Sequence, residues 1–188
     1  PAMKHWYGTK TLVTSLNYDQ ARRKFQAQLE NTPFVALDIE TSSCAESDEW
    51  MDAVKKRGAN GKIDALGHNL TGMSITFGDN CQHTVYMSVD HADTTNITVD
   101  QCREMVEQVP GDMHIVVHNF AFEGQILFRA WGEKWLSNDW HGFLPNTLDT
   151  IIGASYVNEN LPRGLKFRSK THLGYEQQTY EDVTTLEG

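Results

Sequence analysis

Basic charge is scarce in this chain. Sixteen Lys and Arg stand against 25 Asp and Glu over 188 residues, a formal net charge of −9. A protein that grips duplex nucleic acid by its phosphates normally carries the opposite balance. Metal-dependent chemistry on nucleic acid stays open, because a cation can bridge carboxylates to phosphate. Cysteine is scarcer still. Cys44, Cys81 and Cys102 lie far apart and form no CxxC pair, so there is neither zinc-site spacing nor a disulfide framework. A reducing, cytoplasmic setting is the simpler expectation. No stretch approaches the roughly 18 consecutive apolar residues of a membrane helix, and no signal-peptide core opens the chain. No membrane partner is expected. A glycine-rich phosphate loop is missing too, which removes the nucleotide-cofactor domains. Internal repeats and low-complexity segments are absent.

What is present is an ordinary globular composition, 39% hydrophobic and 22% charged, in a length with room for one domain (1–188) and not comfortably for two. Thr9 to Leu16 reads as a strand or extended arm. Asn17 or Asp19 can cap a helix to about Glu30, with Ala21, Phe25 and Leu29 spaced four apart on one face. Phe34 to Ile39 is a nearly continuous apolar run, the pattern of a buried central strand. Residues 43–67 are polar and mixed in charge and read as an insertion, with a possible short helix at Glu49 to Lys56. Leu70 to Phe77 and His83 to Val89 alternate around Gly78-Asp79-Asn80 and predict a β-hairpin. Val99, Cys102, Val106 and Val109 mark an amphipathic helix closed by Pro110-Gly111. Met113 to His118 reads as a strand and Ala121 to Trp135 as the helix after it. Leu148 to Val157 reads as a helix capped by Asn146 or Thr147, and Leu165 to Thr171 as a shorter one. The order β-α-β-β-β-α-β-α-α predicts an α/β domain with a mixed sheet.

Three places carry chemistry. Asp38-Ile39-Glu40-Thr41 ends the apolar strand with two carboxylates two residues apart, hence on one face. Such a pair suits a hard divalent cation that takes oxygen ligands, and it equally suits a strand end running into solvent. His118-Asn119-Phe120-Ala121-Phe122-Glu123 follows a strand and opens a helix, placing Glu123 about one turn in. Asn119 there is a natural cap and Glu123 a favourable first-turn acid, and Glu123 can also face back toward the sheet. Asp149 stands before Ile151 and Ile152, where a first-turn acid is common.

Taken together, five blocks resemble the proofreading 3′-5′ exonuclease domain of family A (polymerase I-like) DNA polymerases, within the DEDD, ribonuclease H-like superfamily. These blocks are Phe34 to Thr41, Asn69 to Ile75, Val85 to His91, His118 to Glu123, and Asp149 to Ile152 followed by Tyr156. Their order and spacing match the family from about Tyr7 to Asp182. The resemblance implies a ribonuclease H-like mixed β-sheet flanked by helices. It also implies two divalent metal ions, Mg²⁺ or Mn²⁺, about 4 Å apart. Asp38 would bridge both ions, Glu40 would bind the more tightly held one, and Glu123 would hold the second, partly through water. Thr41, Asn119 and Phe122 would lie near the terminal nucleotide, with Phe120 and Phe122 also suited to the core. His91, in loop position, is expected at the surface.

The partners implied are a single-stranded 3′ end of DNA and a polymerase domain in the parent chain, in a bacterial cytoplasm or a host cytoplasm if phage-encoded. Opening near Met3 with no preceding 5′-nuclease domain leans toward a phage-like or stand-alone parent. Two departures stand out. The family's second motif most often ends in aspartate where this chain has Glu123. The third motif, tyrosine-x-x-x-aspartate, fits neither Tyr175 with Thr179 nor Tyr180 with Thr184. The last helix of the domain is therefore expected to be missing, and activity of this chain to be weak or absent. The other readings kept open are an exoribonuclease of the same superfamily and a decayed nucleic-acid-binding module.

Overall fold

A computed structural model describes residues 8–43, 68–92, 94–132 and 146–177. The possible helix at Glu49 to Lys56 and nearly all of the 43–67 insertion lie outside them. The chain divides into two units, Gly8–Asp149 and a second that includes Thr150 onward.

The first unit is built on a six-stranded mixed sheet. Its strands are β1 (Thr9–Val13), β2 (Phe34–Ser43), β3 (His68–Phe77), β4 (His83–Ser88), β5 (His114–Val117) and β6 (Thr147–Asp149), in the spatial order β1-β4-β3-β2-β5-β6. The pairs β2–β3 and β3–β4 are antiparallel, and β1–β4, β2–β5 and β5–β6 are parallel. Among the described residues three helices accompany it: α1 (Tyr18–Leu29), α2 (Val99–Val106) and α3 (Phe120–Trp131). This is the α/β fold with a helix-flanked mixed sheet that the element order predicts.

Alternation along β2 explains the layering. Val35, Leu37 and Ile39 are buried, while Asp38 and Glu40 point the other way. The apolar face meets Ile75 and Met73 of β3 in register, and α1 closes on that core, with Phe25 meeting Phe77 edge-on at 4.9 Å between ring centroids. Leu70 is also buried, three residues from Met73, which strict alternation forbids. A bulge supplies the reason. Glu40 pairs with Gly72 and Thr41 with Leu70, so Thr71 is the extra residue. Its carbonyl accepts the backbone N–H groups of Val89 and Asp90, both at 2.9 Å.

The helix ends follow local chemistry. Thr98 and Gln101 form a reciprocal capping box at α2, whose buried face is Cys102, Met105 and Val106. Asn17 precedes α1 but spends its side chain elsewhere, accepting from the Thr14 N–H at 2.8 Å and donating to the Leu12 carbonyl at 2.8 Å. It thus ties off the β1–α1 turn rather than capping the helix.

One expectation is corrected. Leu148 was expected inside a helix capped by Asn146 or Thr147, whereas Thr147–Asp149 is a sixth strand, pairing with Ile115–Val117. The helix begins only at Thr150.

In the second unit, α4 (Thr150–Val157) is followed by α5 (Leu165–Arg168) and a π-helical turn (Ser169–Leu173). Arg168 organises it, as a buried guanidinium donating to the carbonyls of Pro162, Ala154, Asn158 and Leu161 at 2.9 to 3.4 Å. Among the described residues no helix is long and apolar enough to cross a membrane.

Candidate active site

The carboxyl ends of the parallel strands β2 and β5 lie side by side, and the chemistry gathers there. β2 delivers Asp38 and Glu40, and the turn after β5 delivers His118, Asn119 and the first turn of α3 with Glu123. Asp38 and Glu40 keep solvent access. Even so, both lose enough hydration to the surrounding protein to hold their pKa values above the usual carboxylate range. For Asp38 the backbone N–H of Ile39 and the charge of His118 pull the other way. For Glu40 the charge of Asp38 adds to the rise and His91 opposes it.

Glu123 is the extreme case. It is 3% exposed, its Oε2 has no hydrogen-bond partner, and its pKa is pushed up to about 8, first by burial and then by Asp38 and Asp149. An acid in a first helical turn is ordinarily a surface group facing the helix dipole. Here it is buried, and the charges of two other acids reach it.

Asp149 explains how α3 starts without a local cap. Asn119 adopts the left-handed region (φ 75°, ψ 56°) and makes no side-chain cap bond. Instead the Asp149 carboxylate accepts from the backbone N–H of Asn119 at 3.0 Å and of Phe120 at 2.9 Å. An acid at the end of β6 thus satisfies the helix start across 29 and 30 residues of chain. It is a strand-end cap rather than a first-turn acid.

The remaining expected residues fall into two groups. Asn119 lies beside Asp149 at the head of α3. Thr41 alternates with Leu37 and Ile39 rather than with the carboxylates. Its hydroxyl meets His68 Nδ1 at 3.3 Å, and the His68 ring stands edge-on to Phe122, centroids 6.1 Å apart. His68 therefore joins Thr41 to Phe122. Phe120 and Phe122 are half-buried against the core. His91, expected at the surface, is half-buried and bonds Tyr86 at 2.7 Å.

Sequence reasoning gave no role to Tyr86 or His118, which lie inside the resembling blocks, and passed over His68. A signal for Tyr86 was present in Gly72, because a glycine inside a strand often marks the close approach of another group.

Among the described residues no three His, Cys, Asp or Glu side chains stand close enough to form a metal cage. The donor set still fits a hard divalent cation of the Mg²⁺ kind. Such ions keep several waters and are typically held by one or two carboxylates plus substrate phosphate. Asp38 raises the pKa values of both Glu40 and Glu123, and Glu123 has an orphaned buried oxygen, so the group carries negative charge that a cation would offset.

No protein-family profile and no curated protein matches this sequence. Solved structures do match in fold. S. pombe Pop2p, in a Mg²⁺- and Mn²⁺-bound form, aligns with a TM-score of 0.59 at 12% identity, over 86% of this chain and 81% of that one. The Aedes aegypti Nibbler EXO domain aligns with 0.59 at 8% identity, over 95% and 75%. Trypanosoma brucei RNase D, in a GMP complex, aligns with 0.60 at 12% identity, over 97% of this chain and 47% of that one. The sheet belongs to the ribonuclease H-like fold.

Proposed function

We propose that the protein is a metal-dependent 3′-5′ exonuclease of the DEDD kind, acting on a single-stranded 3′ end, and that its parent is a proofreading DNA polymerase of family A. The observation that carries this reading is the convergence of Asp38, Glu40 and Glu123 at the carboxyl ends of β2 and β5, with Glu123 buried and its pKa pushed up to about 8 by burial and its acidic neighbours. The motif order from Phe34 to Tyr156 supports the polymerase context.

Asp38 and Glu40 would hold the cation, and Glu123 would ionise and join them once positive charge is present. A divalent cation in such a site neutralises the phosphodiester and lowers the pKa of the attacking water. The chain's own residues set the geometry. Strand alternation fixes the carboxylate pair on one face, and Asp149 fixes the α3 start from which Glu123 projects. Net negative charge elsewhere repels a nucleic acid that is not drawn in through the metal.

A second reading is favoured by a specific observation: similar structures include proteins described as RNases. An exoribonuclease would use the same carboxylates.

The test offers matched single-stranded DNA and RNA oligonucleotides, labelled at the 5′ end, with millimolar Mn²⁺. Stepwise shortening from the 3′ end, lost in Asp38→Ala, is the expected result. Faster shortening of RNA than DNA would replace the proofreading reading with the ribonuclease one. Absence of cleavage with both, in this chain and in one extended at its carboxyl end, would refute the exonuclease and leave a binding module.

A further inference from the structure

Two rows of residues cross the sheet beside the carboxylates. In one, Asp38 faces Ser74 and Ser74 faces Tyr86. In the next, Glu40 faces Gly72 and Gly72 faces Ser88. Gly72 leaves a gap in the second row, and the Tyr86 ring fills it. A Cβ at position 72 would lie 2.1 Å from the phenol oxygen and 2.6 Å from Cζ, so any side chain there would evict the ring. Directly opposed Cβ positions in an antiparallel pair are about 5 Å apart. A phenol oxygen seated over Gly72 is therefore within reach of the Glu40 carboxylate.

The phenol is held in that seat. Its oxygen and His91 Nε2 are 2.7 Å apart, and the same His91 nitrogen lies 3.2 Å from the absent Gly72 Cβ. His91 is fixed in turn by Asn96, whose Oδ1 accepts from the His91 N–H at 3.0 Å and whose Nδ2 donates to the His91 carbonyl at 2.9 Å. Asn96 Oδ1 also accepts from the Ser88 hydroxyl at 2.7 Å. The chain of bonds runs from the end of β4, through the loop, to the ring over Gly72.

We propose that Tyr86 is a positioning residue for Glu40, its hydroxyl restraining that carboxylate beside Asp38, with His91 and Asn96 locking the phenol over Gly72. This rests on the reading of Asp38 and Glu40 as the cation-holding pair. Glu40 is a solvent-accessible glutamate with three rotatable bonds, and restraining it before a cation arrives removes an entropic cost from binding. A phenol carries its proton at neutral pH and so can act as a donor there. The direction of the Tyr86–His91 bond then matters. With His91 protonated at Nε2, the histidine donates to the phenol oxygen and the phenol proton is free to serve Glu40.

The test has two readouts. In metal-free protein labelled with ¹³C at glutamate side chains, Tyr86→Phe should move the Glu40 carboxyl resonance. By calorimetry it should weaken Mn²⁺ binding about tenfold, the usual cost of losing a group that orients a ligand, with thermal unfolding unchanged. Gly72→Ala should do the same with the hydroxyl still present. If that variant misfolds, Asn96→Ala provides the second perturbation. The proposal is overturned if Tyr86→Phe leaves both the resonance and the affinity unchanged. Fully additive losses of Mn²⁺ affinity in a Tyr86→Phe, Glu40→Gln double variant would also overturn it. A wild-type chain that binds no Mn²⁺, while Tyr86→Phe still moves the Glu40 resonance, would uphold the restraint and overturn the metal reading instead.

Discussion

Replacing Glu123 by Gln should stabilise the metal-free protein at alkaline pH and leave it nearly unchanged in acid. The ordinary glutamate value is 4.5, and in the folded chain burial, Asp38 and Asp149 push it up to about 8. The folded state therefore binds a proton more tightly than the unfolded one. Stability from that proton is fully present below pH 4.5 and is lost as pH rises through about 8. Roughly three and a half decades separate the two values, each worth about 1.4 kcal/mol, so full ionisation costs the folded state about 5 kcal/mol. That is a third or more of the stability of a typical domain. Glutamine keeps the size and hydrogen-bonding shape of the neutral acid without the titration. In urea unfolding at pH 9 the variant should exceed wild type by several kcal/mol, corresponding to about 10 °C or more in midpoint temperature, and the two should converge near pH 5. Millimolar Mn²⁺ at pH 8 should narrow the gap by stabilising the wild type through linkage. Equal stabilities from pH 5 to 9 would refute the argument, because they would mean that Glu123 titrates as an ordinary surface acid.

Two further substitutions test the supports of the two units. Asp149→Ala removes an anionic cap from the backbone N–H groups of Asn119 and Phe120. It should cost about 1–2 kcal/mol in urea unfolding, with Asp149→Asn recovering part of the loss. It should also bring the Glu123 titration, followed by NMR, back toward the normal range. Arg168→Lys keeps the charge but cannot span the carbonyls of Ala154, Asn158, Leu161 and Pro162. A local loss of about 2–3 kcal/mol follows, and hydrogen exchange should accelerate within 150–177 while the β2 and β3 amides stay protected.

Where contacts are local, the sequence was readable. The spacing of Ala21, Phe25 and Leu29 marked the buried face of α1, and the turn at Gly78-Asp79-Asn80 marked the β3–β4 hairpin. Thr98 with Gln101 three residues on was a capping signal that the hydrophobic pattern of α2 overshadowed. Long-range contacts were harder. Thr147–Asp149 is only three residues long with Leu148 half exposed, so nothing in its own pattern distinguishes a parallel edge strand from a helix start. Its pairing partner lies some 32 residues earlier. Asp149 looked like a first-turn acid because its true partners are backbone groups of a different helix. His91 looked like a surface residue because its partner ring is placed by a missing side chain at Gly72. In the site itself, Asp38, Glu40 and Glu123 were all singled out and are brought to one end of the sheet. Thr41 and Phe122 were singled out as well, but His68, the residue that joins them, was not.

The extra residue at Thr71 makes β3 two strands written out of phase. Upstream of it, the residues with even numbers face the core; downstream, the odd ones do. Losing that single residue would set Leu70 directly before Gly72 in ordinary alternation, with His68 and Leu70 still on the core side. Pairing all of the existing residues without a bulge would instead carry His68 and Leu70 to the opposite side of the sheet and put Asn69 in their place. Related chains can therefore lack this one residue with the pattern before it intact, whereas a design that straightens the bulge at the same length must rewrite the residues before it.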